Sequence, residues 1–303
     1  MTDLAANAFA STPARGRSLW DDARRRLMRN PAAVVGMAAL ALFTVLGIVG
    51  LLNYAYPGLF GLHPVDMLFR DKVNLAPSLA AGHLLGTDTE GRDLLARILF
   101  GLGISMAVGF VATTVSLVIG VVWGATAGYV GGGVDSFMMR IVDVLYSIPF
   151  IFFVILLMVV FGSNIWLIFI AIGAVEWLTM SRIVRGQTIS LRQKEFVEAA
   201  KAGGASGAAI IFRHIVPNLM GPVVVFATLN VARVILLESF LSFLGLGVQE
   251  PLTSLGKLIA DGSNNMDTAP WMIVWPAVMM FATLICFNFV GDGLRDALDP
   301  KER

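Results

Sequence analysis

The sequence predicts an all-α, polytopic membrane protein of six transmembrane helices, and three observations carry that reading. Of 303 residues, 57% are hydrophobic and only 14% charged, where a soluble domain carries about 25% charged residues. Six charge-poor stretches each approach the ~20 apolar residues needed to cross a hydrocarbon core. The Lys and Arg residues gather between those stretches rather than within them.

The first stretch, 32–52, is announced by Asn30 as a helix cap and Pro31 at the first helical position. The second lies between Arg97 and Asp135 and ends near Gly128, before the turn "GYVGGG". Within it Ser116, Gly120, Gly124 and Gly128 recur every four residues, a ridge of small residues along which helices pack closely. The third and fourth, 144–161 and 165–180, are separated only by Gly162, Ser163 and Asn164, which predicts a tight hairpin. The fifth covers 220–246 and the sixth 270–290. Thr87 and Glu90 have capping-box spacing, predicting an amphipathic helix that leads into the second span.

Positive charge sets the expected orientation. With the N-terminus in the cytosol, sixteen of the 22 Lys and Arg fall inside, and only Arg70, Lys72, Arg92, Arg97 and Lys257 fall outside. The expected organisation is a cytosolic segment 1–31, a membrane domain 32–294 and a cytosolic tail 295–303. The domain carries a cytosolic loop at 185–218 and external segments at 53–97 and 247–269. About 30 polar residues precede the first apolar run and no small-residue cleavage site follows it, so that run is expected to stay attached. A net charge of +1 gives no argument for nucleic acid. Membrane lipid is the expected surrounding.

No nucleotide-binding G-x-x-x-x-G-K-[ST] loop, H-E-x-x-H motif or readable catalytic triad occurs, and His63, His83 and His214 have no metal-ligand spacing. The lone Cys286 sits in an apolar run, as a small buried hydrophobe would. The chain is therefore expected to catalyse nothing itself and to hold no cofactor or metal. Solute movement across the membrane is the expected task.

The segment "KEFVEAAKAGGASGAAIIFRHIVPN" interrupts the hydrocarbon. Ser190 and Gln193 have capping-box spacing, predicting a helix from Leu191 that stops at Gly203 and Gly204. Phe196, Ala199, Ala200 and Gly203 fall on one shallow apolar stripe, with Lys194, Glu198 and Lys201 paired along another face. Ser206 can cap a second helix that ends at Pro217, where the fifth span starts. The spacing fits a helix-turn-helix gripped by another protein and, equally, a helix lying on lipid headgroups.

"EAAKAGG" followed by "HIVP" resembles the EAA loop of bacterial ABC-importer permeases. "FRHIVPN", with His214 where the general pattern is aliphatic, is similar to the peptide-permease version. "GRSLWDDARRRLMRNPAAV", "HLLGTDTEGRDLLARILFG", "ESFLSFLGLGVQEPL" and "FNFVGDGLRDALDPKER" resemble oligopeptide permeases of the C-type. Leu255 departs from that pattern, where Trp is frequent. The resemblance implies the ABC-importer permease fold and a multi-pass place in the bacterial inner membrane. It also implies a pore-forming subunit that works with a second, related permease as a heterodimer, two cytosolic ATPases carrying ATP and Mg, and an extracytoplasmic peptide-binding protein. It assigns ATPase coupling to Phe196, Glu198, Ala199, Ala200, Gly203, Gly204, His214 and Pro217. Oligopeptides are the implied cargo, with dipeptides or metal chelates as alternatives.

Arg233 and Glu238 lie inside the fifth span, where an arginine at the bilayer centre costs about 3 kcal/mol even on a lenient scale. They stand about 140° apart around the helix, so they do not form an ideal pair. Asn230, Arg233 and Glu238 are therefore expected to line the translocation route, the alternative being hydrogen bonds to neighbouring helices. A secondary transporter would repeat such groups in both halves of the chain, and these have no counterparts in the first three spans. An intramembrane enzyme would need catalytic groups at depth, and none is found.

Overall fold

A computed structural model describes residues 19–162 and 164–299. Ser163 of the expected hairpin and the ends of the two terminal segments lie outside the described residues. The elements are α1 (Leu19–Leu27), α2 (Pro31–Ala55), α3 (Leu94–Val130), α4 (Gly132–Ser147), α5 (Phe150–Phe161), α6 (Ile165–Arg192), α7 (Glu195–Ala202), α8 (Gly207–Ile210), a π-helical turn (Ile211–Ile215), α9 (Val216–Phe243), α10 (Leu255–Ser263) and α11 (Trp271–Leu298). Among the described residues, β pairing is limited to isolated bridges joining Ser78 to His83 and Thr87 to Asp93.

Five helical stretches are long and apolar enough to cross a membrane: α2, α3, α6, α8 to α9 taken together, and α11. A sixth crossing needs α4 and α5 combined, and they are bent by 79°. The expected straight third span over 144–161 is therefore corrected. Ile148 is extended and Pro149 caps α5, as expected for a residue forced out of the α region by the proline that follows it. The 12 residues of α5 span about 18 Å, short of the ~30 Å hydrocarbon core.

The helix α3 is the centre of the bundle, packed on α2, α6 and α9. Its most hydrophobic window is 56% buried, against 17% for α2 at the periphery. The small-residue ridge explains why. A Cβ on Gly120 would stand 2.6 Å from the Met180 side chain, and one on Gly128 would stand 2.8 Å from the Arg185 carbonyl oxygen. A Cβ on Gly124 would strike the Ser181 carbonyl oxygen, and Ser116 is fully buried. The three glycines thus face one partner, α6, at backbone contact, and Ser116 is buried with them. On the opposite side Gly47 and Gly50 let α2 approach Gly103 and Leu99 of α3.

Asn30 caps α2 as predicted, its side chain accepting from the Ala33 N–H. The predicted Thr87 capping box does not form. Thr87 Oγ1 instead donates to the Lys72 carbonyl, and Asp93 caps α3 by accepting from the Ala96 N–H at 2.9 Å. The segment between α2 and α3 is stapled to the bundle at several points. Asn53 at the end of α2 donates to the His63 carbonyl at 2.8 Å, and Trp271 Nε1 at the start of α11 donates to the Thr87 carbonyl at 3.2 Å. Arg92 bridges Asp88 at 2.7 Å and Glu250 at 3.2 Å.

Burial pushes the Glu250 carboxyl up, but hydrogen bonding and charge from Arg92, aided by Arg97 and Lys257, hold it below the usual range. A folded-state value below the unfolded one gives stability that is present above about pH 4.3 and is lost as pH falls through the folded value. Glu250→Gln should therefore lower the neutral plateau of a stability-against-pH curve measured in detergent and so flatten its acid limb, leaving the acid end little changed. Gly124→Ile should overpack the α3–α6 contact and lower stability by about 1–3 kcal/mol in thermal unfolding of the purified chain. Gly133→Ala, where a Cβ meets nothing within 4 Å, should not.

Candidate coupling loop and membrane cavity

The segment 185–218 folds as a short helix closed by a glycine turn, but not from the expected start. Ser190, Leu191 and Arg192 belong to the last turn of α6, and α7 begins at Glu195 with no side-chain cap. At its other end the Ala205 N–H bonds to the Ala200 carbonyl and the Gly204 N–H to the Lys201 carbonyl, both at 3.0 Å. This Schellman pattern requires a left-handed residue, and Gly204 supplies it at φ +81°. A Cβ there would meet nothing, so within this chain Gly204 serves the turn rather than close packing.

The predicted stripe is on the surface. Phe196, Glu198, Ala199, Gly203 and Gly204 are exposed and Ala200 is half-buried. The anchor is Val197, fully buried in a cluster with Val121, Val184, Ile211 and Leu219 from α3, α6, the π turn and α9. The expected pairing of Lys194, Glu198 and Lys201 is absent among the described residues. Lys201 Nζ instead lies 5.5 Å from the Tyr129 ring centroid at the end of α3. Arg192 reaches the same end and donates to the Tyr129 carbonyl at 3.0 Å, satisfying a carbonyl the helix leaves open. Neither contact is legible in sequence, because Arg192 and Tyr129 are 63 residues apart.

Ser206 caps α8 as predicted, accepting from the Ala209 N–H. The helix does not end at Pro217. It continues into α9 through the π turn at Ile211–Ile215, one extra residue that eases the clash between a proline ring and the preceding turn. His214 is half-buried, and its carbonyl accepts from Asn218 Nδ2 at 2.6 Å. Pro217 lines a separate cavity of about 330 Å³ with Trp20 of α1 and Leu298 of α11. Thus α1, the start of α9 and the end of α11 share one face of the bundle.

A larger cavity of about 650 Å³ opens beside the α4–α5 break, walled also by α6 and α9. Arg233 stands in its wall with a side chain 56% exposed. Asn230 is buried, and its Nδ2 donates to Thr113 Oγ1 at 3.4 Å. Glu238 departs from its expected place. It is fully buried, accepting from Ser242 Oγ at 2.7 Å and Ser105 Oγ at 3.2 Å. Its angular offset from Arg233 turns it towards α3 and α10, so it ties helices together and does not line the cavity. Glu176, within α6, occupies the wall in its stead.

The fold brings His63, His83 and Asp93 together, their candidate ligand atoms all within 4.8 Å of one another. Those atoms are engaged. His83 Nδ1 pairs with Asp93 at 2.8 Å, His63 Nε2 lies 3.1 Å from the Gly82 carbonyl, and the Lys72 ammonium lies 3.5 Å from His83 Nε2. A cation already among them makes this a hydrogen-bonded staple of the segment between α2 and α3.

Residues 120–303 match the family described as binding-protein-dependent transport system inner membrane component. The chain belongs to this permease family. Residues 18–77 match a second family, the N-terminal TM domain of oligopeptide transport permease C. The chain is 54% identical to the oligopeptide transport system permease protein OppC of Escherichia coli strain K12 over 95% of its own length and 93% of that protein. It is 51% identical to OppC of Haemophilus influenzae over 95% and 90%, and 42% identical to the dipeptide transport system permease protein DppC of Bacillus subtilis over 94% and 87%. A chain of the MetNI methionine ABC transporter in inward-facing form shares its fold, with a TM-score of 0.54 and 19% identity over 68% of this chain and 96% of that one. The permease is thus an all-α, multi-pass inner-membrane protein.

Two substitutions test the loop's attachment. Gly204→Ala forces a Cβ into the left-handed region at a cost of about 1–2 kcal/mol and should increase proteolytic nicking within the turn. Arg192→Ala should release the end of α3, seen as faster amide exchange at 128–131 than in the parent protein.

Proposed function

We propose that this permease is one of two pore-forming subunits of an ATP-driven importer of oligopeptides. A soluble receptor delivers peptide at the outer face, and two cytosolic ATPases supply the energy, holding the ATP and Mg. The second permease is a related but distinct chain, giving a heterodimer. The N- and C-termini lie in the cytosol. Clustering of α1, the α9 start and the α11 end on one face supports that placement, as does the richness of that side in Lys and Arg.

The observation that carries the reading is the exposed, small-sided stripe of α7, held from beneath by Val197 and closed by the Gly204 turn. Phe196, Ala199 and Gly203 offer a surface that a partner can approach to backbone distance, with Glu198 at hand for a cation. Load applied there passes to α6, α8 and the π turn, against which α7 packs, and through the cluster that Val197 joins to α3 and α9. His214 and Pro217 act less directly, through the helix that carries the loop into the membrane. Arg233, with Asn230 behind it, belongs to the route through the large cavity. The likeness to DppC keeps dipeptides as a second cargo class.

Reconstitution with the second permease, ATPases and receptor in proteoliposomes tests this. Ala199→Trp should lower receptor-stimulated ATP hydrolysis and peptide uptake together by tenfold or more, roughly the loss of one well-packed contact. Uptake by the chain alone, without any ATPase, would instead make it a secondary transporter.

A further inference from the structure

The large cavity contains a charge arrangement for which importer architecture alone gives no reason. Most of its wall is apolar, including Ile148, Phe150, Val175 and Leu236, and set into it are Glu176 and Arg233. The Glu176 side chain is 4% exposed, and its Oε2 has no hydrogen-bond partner. Arg233 Nε stands 3.9 Å from Glu176 Oε1, well beyond the ~2.7–2.9 Å of a charge-assisted hydrogen bond. Behind them Asn230 is 2% exposed, and its Oδ1 also lacks a partner.

An acceptor left bare in low dielectric is costly, because desolvation is not offset by a donor. Arg233 has not closed the pair, although its side chain is long and over half exposed. Glu176 thus keeps unused acceptor capacity in a cavity of about 650 Å³, within the ~300–1,000 Å³ typical of small-molecule sites. The matching ligand is a compact multiple donor with positive charge. An ammonium group brings three N–H donors and is small enough to pass the guanidinium.

We propose that Glu176 is the acceptor for the ammonium group of a peptide in transit, with Arg233 as the resting counter-ion that the ammonium displaces. The proposal rests on the peptide-import reading above and adds to it a selection step inside the membrane: cargo with a free amino group is preferred over cargo without one.

The test uses the complete reconstituted transporter and radiolabelled tetra-alanine, free or N-acetylated, each supplied with receptor and ATP. Any preference of the receptor is common to all permease variants and cancels when their free-to-acetylated uptake ratios are compared. Glu176→Gln should lower that ratio by about ten- to hundredfold, the loss of one charge-assisted hydrogen bond. Arg233→Gln, at an exposed side chain that need not disturb packing, should raise it. An equal fall in uptake of both peptides would show Glu176 to be structural, and an unchanged ratio in either variant would likewise overturn the proposal. An acetylated tetrapeptide carrying one lysine identifies the source of the ammonium. Recovery of uptake that Glu176→Gln abolishes extends the site to side-chain ammonium, and no recovery restricts it to the α-amino group; both uphold Glu176 as acceptor. Failure of the parent complex to import any peptide with ATP would sink the transport reading instead, and so is distinguishable.

Discussion

The close approach of α3 to α6 is the contact on which the rest of the structure depends. Three glycines one helical turn apart bring α3 against the backbone and side chains of Met180, Ser181, Arg185 and Thr188. In a bilayer there is no hydrophobic force to press helices together, so close van der Waals contact between small residues supplies the cohesion. The other spans are placed relative to this pair. The α2 helix lies on α3 through glycines of its own, and α9 packs on both α3 and α6. The cavity forms between the broken α4–α5 segment, α6 and α9.

The loop that carries α7 inherits its position from the same pair. The helix α6 runs on into the loop, and Arg192 at its last turn holds the end of α3. Lys201 returns from α7 to the same place. Buried Val197 fixes the depth of α7, so the exposed stripe is presented at a defined height above the bundle. A displaced α7 would drag the ends of both central helices with it. That linkage is mechanical, resting on one apolar anchor and two cationic contacts rather than on a continuous core.

Much of the fold was legible because the bilayer leaves few options. Charge-free length gave five of the crossings, Asn30 and Pro31 gave the start of α2, and the four-residue spacing of small residues gave the packing ridge. Local motifs failed where tertiary contacts outbid them. Thr87 donates to the Lys72 carbonyl and accepts from the Leu75 N–H rather than from a helix start, and Ser190 was already inside α6. Pro149 was visible, yet within a run that hydropathy alone reads as continuous, and so the break was missed. The exposed stripe of α7 could be read from periodicity, but its anchor could not, since Val197 differs from its neighbours only in what lies beneath it. Glu238 shows the limit for intramembrane charge. Sequence marks such a group as unusual, but only the neighbouring serines on α3 and α9 reveal a satisfied acceptor within the packing.

The π-helical turn at Ile211–Ile215 has a consequence for chain length. It accommodates one residue more than a regular helix would, and each residue in a helix turns the chain by about 100°. The bulge absorbs that residue locally, so α8 and the glycine turn keep the register they would have at the head of a regular helix. Removing one of the five residues would close the bulge and leave that register near its present value. Inserting one into the regular winding of α9 would instead turn the loop a quarter-turn or more about the helix axis and carry Val197 away from its cluster.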